Sequence, residues 1–165
     1  GWVVEEAARR RYYGPDARSL LSRAFLSDHC FWVTRDDAPE EGWIGLAFRP
    51  TGERTVPDIA GTFWLDASSG ELREVRFRYT GLRPPLDGSR AGGRVTFLHL
   101  PSGPWLVRSW RIRMPVTGGD LYRPAKAGPD APERVLGYEV VGEELVRLAT
   151  PDGEILYRAE APDGL

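Results

Sequence analysis

The chain has 165 residues, a formal net charge of −2, 41% hydrophobic and 28% charged residues, the values of one ordinary globular domain. Such a length buries a core without disulfides or metal, and the composition excludes disorder outside the tails and the Pro/Gly loops. No apolar run reaches the roughly 18 residues of a membrane helix, so the chain is not expected to span a membrane, and its near-neutral charge gives no global reason to expect nucleic acid.

Residues 3–13, Val-Val-Glu-Glu-Ala-Ala-Arg-Arg-Arg-Tyr-Tyr, predict a helix. Glu5 and Glu6 precede Arg9 and Arg10 at i,i+4 spacing, in the order that suits the helix dipole. No secretion signal is read here, because Gly1-Trp-Val-Val runs straight into charge. Gly14-Pro15 breaks the helix. A second helix starts near Pro15 or Asp16, where proline is tolerated. It carries Leu20, Leu21, Ala24 and Phe25 as one apolar stripe and ends before Cys30. Helical structure is thus expected over 3–29.

From Cys30 the pattern turns to strand. An antiparallel meander is expected over 30–116, a loop over 117–133 and C-terminal strands over 134–160, all in one domain spanning 1–165. The strands fall near 30–35, 43–49, 59–66, 71–80, 92–100, 104–115, 134–141, 144–149 and 154–159. Between them lie turn-forming clusters such as Asp36 to Gly42, Arg83 to Ser89, Pro101 to Pro104 and Pro151-Asp-Gly153. Gly118 to Pro132, rich in Gly, Pro, Ala and Asp, reads as a long loop.

The clearest unit is the hairpin Gly61 to Tyr79, with its turn at Ala67-Ser-Ser-Gly70. Val75, Phe77 and Tyr79 share one side and Arg76 and Arg78 the other, the period of a sheet with one buried and one wet face. Two phase breaks predict β-bulges or bends: Leu72 against Val75, and Trp105 and Val107 against Trp110, Ile112 and Met114. Bends let a sheet curl. The expected fold is α+β: a curved antiparallel, half-barrel-like sheet with the N-terminal helices packed on it.

Charge is uneven. Residues 71–115 hold nine arginines against Glu71, Glu74 and Asp87, whereas residues 116–165 hold five basic and ten acidic residues. The plainer reading is that these regions offset each other or stay solvated. The sharper reading is an anion or acidic-polymer site built from Arg76, Arg78, Arg111 and Arg113. Sheets that bind nucleic acid add aromatics on the same face. Here the aromatics are read as lying opposite the arginines, so no nucleic-acid partner is expected.

Few residues suggest chemistry. Asp28-His29-Cys30 invites a nucleophile reading, but sequence neighbours at a helix end do not line up nucleophile, base and orienter. The plainer reading has Asp28 and His29 finishing the helix and Cys30 entering the core as a small apolar residue. Two histidines and one cysteine without ligand spacing argue against structural zinc. No phosphate loop, nucleophile elbow or dinucleotide fingerprint is present, so no cofactor is expected. Asp36/Asp37, Glu40/Glu41 and Glu143/Glu144 are read as loop carboxylates, the basis with His29 of an alternative hydrolase reading. The six tryptophans read first as core. They read second as part of a concave apolar site between the helix carrying Leu20, Leu21 and Phe25 and a sheet face carrying Trp64, Phe77 and Trp110.

The run Ala24-Phe-Leu-Ser-Asp-His-Cys-Phe31 continues through Gly42-Trp-Ile-Gly-Leu-Ala-Phe-Arg-Pro50 and Val56 to Asp66, then Gly92 to Phe97 and Leu100 to Pro115. It resembles the C-terminal region of exported bacterial carboxypeptidase-regulatory-like domain proteins. That resemblance implies no peptidase. It implies export to the periplasm or cell surface and a domain that belongs to a longer protein. The hairpin Gly61 to Tyr79 is also similar to the repeated unit of lipoprotein-carrier half-barrels, curved sheets that bind acyl chains. The expected function is therefore a non-catalytic exported module that binds a protein partner, an envelope component or an apolar small molecule. The alternatives are a hydrolase and a self-assembling structural module.

Overall fold

The computed structural model describes residues 2–6, 9–52, 56–117 and 134–159. Its centre is a seven-stranded antiparallel sheet in simple sequence order, an open sheet not closed into a barrel. The expected loop over 117–133 lies, apart from Thr117, outside the described residues, as does residue 160 of the expected C-terminal strands.

The N-terminal segment corrects the sequence reading. In place of a helix over 3–13, β1 (Val3–Glu6) and β2 (Arg9–Tyr12) form an antiparallel hairpin, with Val3 opposite Tyr12. An i,i+4 charge pair stabilises a helix by only about 0.2–0.5 kcal/mol, and apolar burial outweighs it. Val3 is buried in the main core, and the Tyr12 ring meets Tyr79 edge-on at 5.2 Å. The hairpin is tied down at its base, where the Tyr79 hydroxyl donates to the Tyr13 carbonyl at 3.0 Å and the Trp2 indole N–H donates to Asp58 at 3.0 Å.

The second predicted helix forms as two short pieces, α1 (Ala17–Leu20) and α2 (Arg23–Asp28). The Asp16 carboxylate accepts the Ser19 N–H at 2.6 Å and opens α1. The Ser22 hydroxyl accepts the Phe25 N–H at 3.1 Å and caps α2. That second cap restarts the helix and breaks the apolar stripe. Leu20 and Phe25 turn inward, whereas Leu21 is left 75% exposed.

The sheet comprises β3 (His29–Thr34), β4 (Trp43–Pro50), β5 (Asp58–Asp66), β6 (Leu72–Thr80), β7 (Gly92–His99), β8 (Trp105–Thr117) and β9 (Val135–Glu144). A separate hairpin follows, β10 (Arg147–Ala149) with β11 (Ile155–Arg158). Both expected phase breaks are bulges. Trp64 pairs with Glu74 and Leu65 with Leu72, leaving Arg73 extra on β6. Thr96 pairs with Ser109 and Phe97 with Val107, leaving Arg108 extra on β8.

Register assigns the faces, since residues directly opposite share a face and neighbours along a strand alternate. Ile59 opposite Tyr79, Phe63 opposite Val75, Val95 opposite Trp110 and Phe48 opposite Gly61 set the inner face. Phe77 lies between two glycines, Gly61 on one side and Gly93 on the other. A Cβ on Gly93 would lie 2.8 Å from the Phe77 ring, so the aromatic covers the space that glycine leaves. Val3, Leu20 and Phe25 close this face into one core with Phe48, Ile59, Val75, Phe77 and Tyr79.

Candidate functional site

The outer face of β6, β7 and β8 carries the strongest chemical signal. Register sets Arg76 opposite Arg94 and Arg94 opposite Arg111, a row of three arginines across three strands. The next row is Arg78, Gly92 and Arg113. Arg76, Arg78, Arg111 and Arg113 thus share one face, and Arg94 lies among them. All five side chains are exposed. Like charges directly across strands are destabilising, so such a row needs compensation.

Part of it comes from Glu74. Its side chain is only 4% exposed, and its carboxylate accepts from the Arg76 Nε and forms an ion pair with the Arg94 Nε at 3.2 Å. Another part is aromatic. The guanidinium carbons of Arg90 and Arg113 lie 4.6 Å and 4.5 Å from the ring centre of Tyr138 on β9. Arg49 lies 5.5 Å from the ring of Trp32 on the same outer face. Among the described residues Arg78 and Arg111 have no ion pair. A depression lined by Arg49, Pro50, Ala60, Arg78 and Thr80 adjoins the first row's neighbour, so Arg78 borders two hollows.

The aromatics are not all opposite the arginines, contrary to the sequence reading. Trp64 pairs across the sheet with Glu74, and its ring lies over Gly45. It therefore stands on the arginine face, outside the main core, 3% exposed and with its indole N–H unpartnered among the described residues. The cause is parity: Phe63, not Trp64, continues the inner row of Ile59 and Gly61. Tyr138 is covered by guanidiniums and Trp64 is buried, so neither offers an open stacking surface for a base.

The expected apolar site is not assembled. Trp64 is on the wrong face and Leu21 points to solvent. Phe25 and Phe77 do share the core, each 6% exposed, packed among other side chains. Trp110 is on the inner face beside Val95, and its N–H donates to Glu143 at 3.2 Å.

The Asp28-His29-Cys30 run is inverted relative to expectation. His29 opens β3 and points inward, 6% exposed, while Cys30 faces out opposite Arg49 and is exposed. Strand alternation starts at residue 29 and decides both. His29 Nδ1 meets the Phe25 carbonyl at 2.9 Å and Nε2 the Ile59 carbonyl at 3.2 Å, with Asp58 Oδ1 at 3.5 Å. With its ring nitrogens facing two backbone carbonyls inside the core, His29 ties α2 to β5 through whichever nitrogen carries the proton. A hollow of about 430 Å³ adjoins it, lined by Trp2, Ser22, Phe25 and Val56 among others. Glu143 and Glu144 are not loop residues. They end β9, opposite Trp110 and Ser109, on opposite faces, and do not converge. His99 stacks on Trp105 at 4.5 Å and meets Glu71 at 2.7 Å. Among the described residues no three metal-ligating side chains gather, and no helix is long and apolar enough to cross a membrane.

Sequence reasoning counted Arg90, Arg94 and Glu74 in the basic stretch but left them out of the site, together with Gly92 and Tyr138. Arg94 was within reach, since Gly92-Gly-Arg94-Val-Thr alternates in phase with the next strand. Tyr138 was not, because its approach to Arg90 and Arg113 depends on the β8–β9 register. No family model, no curated protein and no solved structure matches the chain.

Proposed function

We infer that this chain is a non-catalytic binding domain whose working surface is the outer arginine face of β6–β8, and that its partner is an anionic polymer of the cell envelope. The observation that carries this reading is the row Arg76, Arg94, Arg111 beside Arg78 and Arg113, five guanidiniums with one buried carboxylate among them. Planar, permanently charged forks on a rigid sheet suit repeated anionic groups. The resemblance to exported bacterial proteins supports an envelope location, periplasmic or extracellular. A carrier of apolar ligands is less favoured, because the centre of the inner face, at Ile59, Val75, Phe77 and Tyr79, is filled by core packing. A hydrolase is less favoured, because His29 is buried with both ring nitrogens facing backbone carbonyls.

The test is binding of fluorescent polyuronate and polyphosphate by the whole chain at rising ionic strength. The expected result is saturable binding that falls steeply with salt and weakens in Arg111→Gln and Arg78→Gln. Tighter binding of a mixed-sequence oligonucleotide than of either polymer, or binding indifferent to these substitutions, would overturn it.

A second reading has one specific support. The open sheet leaves β3 and β9 as edges, and β9 exposes Leu136, Val140 and Val141. Such edges favour pairing with another strand. Sedimentation showing a concentration-dependent dimer lost on Val140→Lys would favour self-assembly.

A further inference from the structure

We propose that the gap above Gly92 is a discrete seat for a tetrahedral oxyanion of the phosphate or sulfate type, the point at which the polymer is recognised. The inference rests on the arginine face being the binding surface and adds what kind of group it takes.

The gap follows from the register. In the row Arg78, Gly92, Arg113 the central position has no side chain. Neighbouring strands lie about 4.8 Å apart, so the backbones of Arg78 and Arg113 stand roughly 9.6 Å apart. That leaves room for one small anion between two guanidiniums. The resulting hollow has a volume of about 290 Å³ and is lined by Arg78, Arg90, Arg94, Arg111 and Arg113 over a floor at Gly92, with no carboxylate in the lining among the described residues. Gly92 has a backbone reason to be glycine as well, since a Cβ there would collide with the Phe77 carbonyl of the adjacent strand.

Three of the five arginines around the hollow are already oriented. Arg90 comes from the loop before β7 and Arg113 from β8, yet both lie against Tyr138. One aromatic ring thus holds two like charges beside the hollow. Glu74 holds the Nε of Arg94, which leaves that side chain's terminal N–H groups for an incoming anion. The loop acid Asp87 accepts the Ser89 N–H at 2.8 Å, and its negative charge faces Arg90. Five cations gathered around one hollow, of which only Arg94 is ion-paired among the described residues, repel one another, and a multivalent oxyanion relieves that repulsion while taking several charge-assisted hydrogen bonds. A planar carboxylate has fewer acceptor directions to offer. The seat therefore discriminates by group, where the surrounding face supplies only charge.

The experiment titrates the whole chain with inorganic phosphate, followed by ³¹P line broadening and calorimetry, alongside polyphosphate and polyuronate of matched charge. The expected result is saturable phosphate binding, preference for polyphosphate over polyuronate, and roughly five- to tenfold weaker phosphate binding in Arg113→Gln and in Arg78→Gln. Arg49→Gln, which lies outside this hollow, changes phosphate binding less than twofold while lowering polymer affinity. All three side chains are exposed, and circular dichroism checks that each variant folds. Inorganic sulfate competing equally with phosphate assigns the seat to the tetrahedral shape, whereas phosphate alone assigns it to phosphate chemistry; both support it. Polymer binding without any phosphate binding or group preference overturns the seat and leaves the arginine-face reading standing. Absence of binding to every anion overturns both.

Discussion

Arg113 on β8 lies with its guanidinium carbon 4.5 Å from the ring centre of Tyr138 on β9, and the ring is shared with Arg90 at 4.6 Å. A cation over an exposed ring is stabilised by about 0.5–1 kcal/mol. The contact therefore positions charge more than it strengthens the fold. Tyr138→Leu keeps apolar bulk and removes the ring. The expected outcome is a two- to fivefold loss of anion affinity, about the size of one such contact, with an unfolding midpoint in urea that barely moves. A large stability loss with unchanged anion affinity would refute the positioning role.

The turn of the central hairpin gives a pH prediction. The Asp66 carboxylate accepts from the Ser68 hydroxyl and from the backbone N–H groups of Ser68 and Ser69 at 2.9 and 3.0 Å. These bonds, the Ser68 hydroxyl first, hold its carboxyl well below the ordinary 3.8. A carboxyl depressed in the folded state contributes stability that is full above its unfolded value. That contribution is lost as pH falls through the lowered folded value. Asp66→Asn should therefore melt below the parent at pH 7, and the difference should shrink as pH falls below about 4. Melting temperatures from pH 7 to pH 2 check this, and a constant gap across that range would contradict it.

Much of the sheet was readable because alternation over Glu71 to Tyr79 and over Trp105 to Pro115 is strong, and because a bulge leaves its mark as a parity break. Two features were not readable. The N-terminal hairpin carries the acid-then-base order of a helix, and only the contacts of Val3 and Tyr12 with a distant core decide against it. The inward turn of His29 depends on where β3 begins, which Ser22 fixes by restarting the helix. The arginine face was half readable. Parity within a strand placed Arg76 with Arg78 and Arg111 with Arg113 in one expected anion site, but the position of Arg94 and Gly92 between the two pairs needs the register of three strands.

His29 provides a stability prediction. It bridges the Phe25 carbonyl at the end of α2 and the Ile59 carbonyl of β5, beside Asp58. His29→Phe retains a ring against Phe25 but removes the imidazole N–H directed at these buried carbonyls. A buried polar group left unmet costs about 1–3 kcal/mol, so a loss of at least about 2 kcal/mol is expected in urea unfolding. Leu26→Ala, at a position 51% exposed, serves as the control and should shift stability by less than about 1 kcal/mol. Equal effects of the two would remove this tie from the account of the fold.

Glu74 separates stability from binding most cleanly. Its buried carboxylate holds Arg76 and Arg94 in the middle of the arginine face. It therefore stabilises the domain and subtracts from the field that a polyanion meets. Glu74→Gln keeps the shape, removes the charge and frees both guanidiniums. Charge-assisted bonds become neutral ones, and because both arginines are well exposed the expected stability loss is modest, about 1–2 kcal/mol. Polyphosphate affinity at low salt should move the other way and rise several-fold, with a steeper dependence on ionic strength. General damage to the fold would lower both quantities together. Only a face that binds anions, with Glu74 as its internal counter-charge, predicts a less stable domain that binds more tightly.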